Sequence, residues 1–207
     1  SFFSLDPEPP ELPDLNPPVI RVYLASALTN LDDEGKKEAE TGRGIIRDVL
    51  HDYDYFGVRF EVYDPAQVTP PGSPHSDDEV YIMDHHQTSN ADLVIFYVLA
   101  PSLGVGMEAQ IAADSTLPRV VVSRRDAPVS RMFRGVFSPT IASLEYGQVA
   151  ELRHLFFDHL RVIAEAVIHS ALRRREHIGG FCKNSLGATM MRRRITLGVS
   201  LPQLAEE

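Results

Sequence analysis

Cysteine is almost missing from this 207-residue chain, where Cys182 stands alone. A single thiol excludes an internal disulfide framework and a cysteine-based zinc site, and it fits a reducing cytoplasm. No apolar run approaches the roughly 20 residues of a membrane span, and no signal-peptide pattern is present. No membrane partner is therefore expected. Basic residues are also in deficit, with 20 Lys and Arg against 29 Asp and Glu for a net charge of −9. The deficit is uneven. Residues 171–207 hold seven bases against Glu176, Glu206 and Glu207, a net of +4, which leaves −13 on residues 1–170. The body is thus a poor nucleic-acid surface, and only the tail is a candidate for one. Histidines at metal-ligand spacing are lacking as well. His85 and His86 are adjacent and point to different sides of a helix, so neither a metal site nor a cofactor is expected.

What is present reads as a folded domain with appendages. Hydrophobic residues make up 43% and charged residues 24%, normal for a globular protein with a real core. Residues 1–18 carry Pro7, Pro9, Pro10, Pro13, Pro17 and Pro18 among acidic residues and read as an extended leader. Residues 19–170 form the expected domain, and residues 171–207 the basic tail.

The chain is organised around Ala91 to Ala113, ADLVIFYVLAPSLGVGMEAQIAA. The apolar run Leu93 to Leu99 has the length and β-branched content of a buried parallel strand. A turn, Pro101 to Gly106, is expected to follow, and then a helix with Glu108 in its first turn. Strand, glycine turn and helix together present backbone N–H groups to an anion. A carboxylate just inside such a helix lies near the positive end of the dipole, which favours its ionised form.

The rest of the chain supports the same architecture. Val19 to Ala25 and Val58 to Val62 read as strands, with a helix from Leu31 to about Asp52 between them. Ile45, Ile46, Val49 and Leu50 of that helix should face the core. Tyr63 to His75, rich in Pro and Gly, reads as a loop long enough to cover a site. Ser76-Asp77-Asp78-Glu79 has the capping-box pattern and should start a helix. On it Val80, Met83, Asp84 and Gln87 fall on one face, so Asp84 sits among inward-facing residues. Arg119 to Ser123 is a fourth strand, Thr140 to Leu144 a fifth at the edge, and Gln148 to about Arg175 a long amphipathic helix. The alternation predicts an α/β fold, an open doubly wound, flavodoxin-like sheet of about five mostly parallel strands with helices on both faces. Ligands bind such sheets at the carboxyl ends of the strands. Tyr23, Asp64, Ser102 and the Ser130 loop map to that edge.

The run PSLGVGMEAQIA, followed by PRVVVSRRDAPVSRMFRG, resembles the core of the 2′-deoxynucleoside 5′-phosphate N-hydrolases, relatives of the nucleoside 2-deoxyribosyltransferases. VYLAS resembles that family's opening strand, Asp84 precedes Asp92 at its spacing, and SLEYGQVAELRHLF resembles its last strand and helix. The resemblance covers about residues 19 to 165. It implies cleavage of the base–sugar bond of a nucleoside 5′-monophosphate, with Glu108 the nucleophile that forms a glycosyl ester. Asp84 would assist departure of the base and Tyr23 would orient Glu108. Ser102, Gly104, Gly106 and Ser130 would hold the 5′-phosphate, with Asp64 a further substrate-lining residue. Ser130 would come from a neighbouring subunit, which implies a homodimer with shared sites. Two carboxyl groups with divided roles follow the logic of retaining glycosidases, and Asp84 would need a raised pKa to donate a proton.

The chain departs from the family after its first strand, where Ala27-Leu28-Thr29 replaces a Ser–aliphatic–Arg stretch. That change leaves ribose and deoxyribose both open. Residues Arg192 to Ala205 resemble the start of a Cro/repressor-type helix-turn-helix without its recognition helix, so DNA would be a partner only through a completed motif. Two alternatives therefore stand beside the hydrolase. One is a nucleotide-sensing domain of a DNA-binding regulator; the other is a defence effector that cleaves a nucleotide or a dinucleotide such as NAD. The set of Tyr23, Asp84 and Glu108 favours catalysis, because a sensor needs no nucleophile.

Overall fold

The computed structural model describes residues 19–53 and 58–177. The Pro-rich leader, Cys182 and the helix-turn-helix-like segment lie outside the described residues. Five strands form one sheet: β1 (Val19–Ser26), β2 (Arg59–Tyr63), β3 (Leu93–Val98), β4 (Arg119–Arg124) and β5 (Thr140–Tyr146). Their order is β2-β1-β3-β4-β5, and every neighbouring pair is parallel. This is the doubly wound arrangement expected from the sequence, with the chain reversing its direction of winding between β1 and β3.

The central strands are hydrophobic on both faces because helices cover both. Ile20, Val22 and Leu24 of β1 join Leu93, Ile95 and Tyr97 of β3 in one core layer. That layer packs against α1 (Asp33–Asp52) and α6 (Leu152–His177). Ile46, Val49 and Leu50 are buried there and Ile45 packs at its margin, as their helical spacing requires. Gly42 of α1 makes room for Tyr97, whose hydroxyl is 2.6 Å from that of Tyr146; any Cβ at position 42 would collide with the Tyr97 ring. The alternate residues, Tyr23 and Ala25 of β1 and Val94 and Phe96 of β3, build the opposite layer against α4 (Leu103–Asp114) and Phe133 of α5 (Arg131–Gly135).

Several boundaries differ from the sequence reading. The Tyr63 to His75 loop contains a short helix, α2 (Pro65–Val68), because the Asp64 side chain caps it by accepting from the Ala66 N–H. Helix α3 (Asp77–Ser89) begins with the expected capping box, Ser76 and Glu79 exchanging side-chain and backbone hydrogen bonds. Gln87, however, is exposed, and Thr88 is the buried residue of that stripe. The last helix is preceded by a 3-10 turn, Val149–Glu151.

The largest revision concerns the stretch after β3. The expected glycine turn is already helix: α4 starts at Leu103, with Ser102 as N-cap accepting from the Val105 N–H at 3.5 Å. Glu108 consequently sits in the second turn rather than the first. Among the described residues, no helix is long and apolar enough to cross a membrane.

Candidate active site

Four elements, β1, β2, α3 and α4, converge at the carboxyl edge of the sheet, on the α3–α4 side of the β1/β3 crossover. The Tyr23 side chain points from β1 toward that side, fully buried. Its hydroxyl donates to Glu108 Oε1 of α4 at 2.7 Å. The residue Glu108 is only partly buried as a whole, yet its second oxygen, Oε2, is shut off from solvent and has no hydrogen-bond partner among the described residues. Asp84 of α3 is half-buried and accepts a hydrogen bond from Tyr63, the last residue of β2, at 3.2 Å. Tyr23 and Tyr63 are stacked, ring centroids 5.6 Å apart.

The two acids border a cavity of about 530 Å³, with Tyr23 and Tyr63 behind its wall. Glu108, Asp84 and Gly104 line it, together with Leu28 and Thr29 of the turn after β1 and His75 and His85 around the start of α3. The volume is ample for a nucleoside-sized ligand. A larger cavity of about 860 Å³ lies between the start of α1 and the end of β5. Its most enclosed carboxylate, the partly buried Glu38, is occupied by Arg124 and Tyr146, and neither Asp84 nor Glu108 lines it.

Burial governs the titration of both acids. It is the leading cause that pushes the Glu108 carboxyl up to about 7; the hydrogen bond from Tyr23 opposes it, and the charge of Asp84 adds to it. This reverses the expectation that the helix dipole favours the ionised form. A dipole effect fades beyond the first turn, whereas losing water around a carboxylate costs several kcal/mol. Asp84 is likewise raised by burial, with the Tyr63 hydrogen bond pulling the other way. That direction is the one a proton donor requires. Tyr23 is raised by burial first and then by the charge of Glu108, so it remains a neutral donor.

The other sequence candidates occupy different positions. Ser102 and Gly104 stand at the start of α4, where the first-turn N–H groups have no intrahelical acceptor, but of Ser102, Gly104 and Gly106 only Gly104 lines the cavity. The Gly106 N–H instead closes the helical ladder onto the Ser102 carbonyl at 3.2 Å. Asp64 does not line the cavity. Its side chain is completely buried, one oxygen held by the guanidinium groups of Arg43 and Arg47 and the other capping α2. A carboxylate paired in this way anchors the loop wall to α1. Ser130 caps α5, is exposed, and does not border the cavity of its own chain. Tyr63 escaped the sequence reading because only the pairing of β2 with β1 brings it beside Tyr23. Among the described residues, no group of three or more His, Cys, Asp or Glu is placed to hold a metal ion.

No protein-family model matches the sequence. Over 99 residues the chain is 30% identical to a protein of Syntrophotalea carbinolica provisionally named 2′-deoxynucleoside 5′-phosphate N-hydrolase 1; the match spans 47% of this chain and 68% of that protein. Among solved structures, the CMP N-glycosidase BcmB of Clostridium botulinum aligns with a TM-score of 0.44 and 16% identity, covering 69% of this chain and 98% of that one. A 2-deoxyribosyltransferase of Bacillus psychrosaccharolyticus aligns with a TM-score of 0.45 and 17% identity over 68% and 95%.

Proposed function

This chain belongs to the 2′-deoxynucleoside 5′-phosphate N-hydrolase family, and on that premise we propose that it cleaves the base–sugar bond of a nucleoside 5′-monophosphate. One observation carries the reading. Glu108 has one oxygen fixed by Tyr23 and the other buried without a partner, at the wall of a cavity that Asp84 also lines. A carboxylate so arranged is an inefficient structural acid, because its desolvation is left uncompensated. It is a well-prepared nucleophile.

In the proposed reaction the Glu108 carboxylate bonds to the anomeric carbon as the bond from that carbon to the base nitrogen breaks. The electron pair leaves with the base, and Asp84 supplies a proton to it. The active form of the pair is the singly protonated tautomer in which the shared proton has passed from Glu108, whose carboxyl is pushed up to about 7, to Asp84. Water then attacks the anomeric carbon of the glycosyl ester, its proton passes to Asp84, and Glu108 is released as carboxylate. Tyr23 supports both steps by donating a hydrogen bond to the Glu108 carboxylate at Oε1. The phosphate would rest against Ser102 and the N–H groups at the start of α4, Gly104 among them. Among the described residues bordering the cavity none is Lys or Arg, so recognition of that anion would rely on neutral donors. A homodimer, with Ser130 reaching a neighbouring site, is supported by the apolar surface near α4 and α5. There Leu103 is 83%, Met132 85% and Phe137 99% exposed.

The test is release of free base from a panel of ribo- and deoxyribonucleotides and their nucleosides. Release by the native chain, abolished in Glu108→Ala, is the expected result. Tight binding with no release from any compound would overturn the hydrolase in favour of a nucleotide sensor.

A further inference from the structure

Tyr63 is the register partner of Tyr23 across the β1–β2 pair, so both rings project from the same face of the sheet. Their planes lie 19° from parallel. Each phenol serves one acid, Tyr23 donating to Glu108 and Tyr63 to Asp84 Oδ1. Strand pairing thus supplies two parallel donors, braced against each other by ring contact. We infer that Tyr63 is a positioning residue for the second acid, holding Asp84 Oδ1 so that Oδ2 is the oxygen that delivers the proton to the departing base. The inference rests on the reading of Asp84 given above.

The chemistry follows from hydrogen-bond inventory. The Tyr63 hydroxyl is pushed up to about 12, by burial first and then by Asp84, so at neutral pH it keeps its hydrogen and is a donor. A carboxyl oxygen that already accepts an O–H keeps the acidic hydrogen of its own group on the other oxygen. Without that anchor a half-buried aspartate turns about its last side-chain torsion, which is broad and weakly held. The titratable groups that share the cavity with Asp84 or face it are Tyr23 of β1, Tyr63 of β2, His75 of the covering loop, Asp77, Tyr81 and His85 of α3, and Glu108 of α4. Tyr63 is the one among them with a hydrogen bond to the Asp84 carboxyl group. Its loss also removes the hydrogen bond that favours ionised Asp84.

The variant Tyr63→Phe keeps the stacked ring and deletes the hydroxyl. Its kcat for base release should fall about tenfold with KM within about twofold. The limb of the pH profile that Asp84→Asn removes should move up by about one pH unit, as expected for losing one charge-assisted hydrogen bond. Independently of turnover, carbon-13 NMR of aspartate-labelled full chain should show Asp84 titrating at higher pH in Tyr63→Phe. Unchanged kcat with an unchanged Asp84 titration would overturn the role of Tyr63. If the native chain releases no base at all, the hydrolase reading falls, and the NMR titration still decides whether Tyr63 controls Asp84.

Discussion

Replacing Glu108 by glutamine should destroy base release and, at alkaline pH, make the protein more stable. In the unfolded chain this carboxyl group titrates near its ordinary 4.5, and in the folded protein at about 7. Between those values the unfolded chain has given up a proton that the folded protein retains, so stability falls as pH rises. Each pH unit costs about 1.4 kcal/mol, which accumulates to about 3 kcal/mol by pH 8; below pH 4.5 both states are protonated and the penalty vanishes. Glutamine carries no such penalty and its amide oxygen still accepts from Tyr23. The advantage of Glu108→Gln over the native chain should therefore grow with pH, by about 6–12 °C in Tm between pH 4.5 and 8 for a protein of this size. Asp84 is raised by burial too, but it titrates in both proteins and largely cancels. Thermal and urea unfolding of both proteins across this range measure the difference. A gap that stays constant or narrows as pH rises would refute the claim that Glu108 is held desolvated for a task.

Two further outcomes follow from the hydrogen-bond map. Tyr23→Phe leaves Glu108 Oε1 buried without its donor, so kcat/KM for base release should drop about 10- to 100-fold, the worth of one hydrogen bond to a charged group. The rise of that rate with pH should also move above 7, which a pH–rate series reads directly. Asp64→Ala strands Arg43 and Arg47 beside an empty space and uncaps α2, so it should lower stability by about 3 kcal/mol. If Asp64 only anchors the wall, the KM of the folded variant stays near native; a large KM increase at full stability would restore it to the substrate's surroundings.

The agreement between sequence and structure is uneven for reasons that can be traced to particular residues. Helix α3 was legible in detail because its capping box lies within four consecutive residues. Helix α4 was misplaced at its start because Gly104 and Gly106 look like turn residues, while the cap that recruits them into a helix is the single side chain of Ser102. Asp64 looked available for substrate because its partners, Arg43 and Arg47, lie about 20 residues earlier on another element. Tyr63 carried no local signal at all.

What the sequence by itself determined is the order of elements, the two-faced sheet and the identity of the carboxyl groups at its edge. Period-two and period-3.6 patterns report burial, and strand–helix alternation leaves few ways to wind a parallel sheet. Only the tertiary structure decided the protonation of Glu108 and the partner of Asp84. Both depend on which groups exclude water or donate a hydrogen across separate strands and helices, and such distances are properties of packing rather than of spacing along the chain.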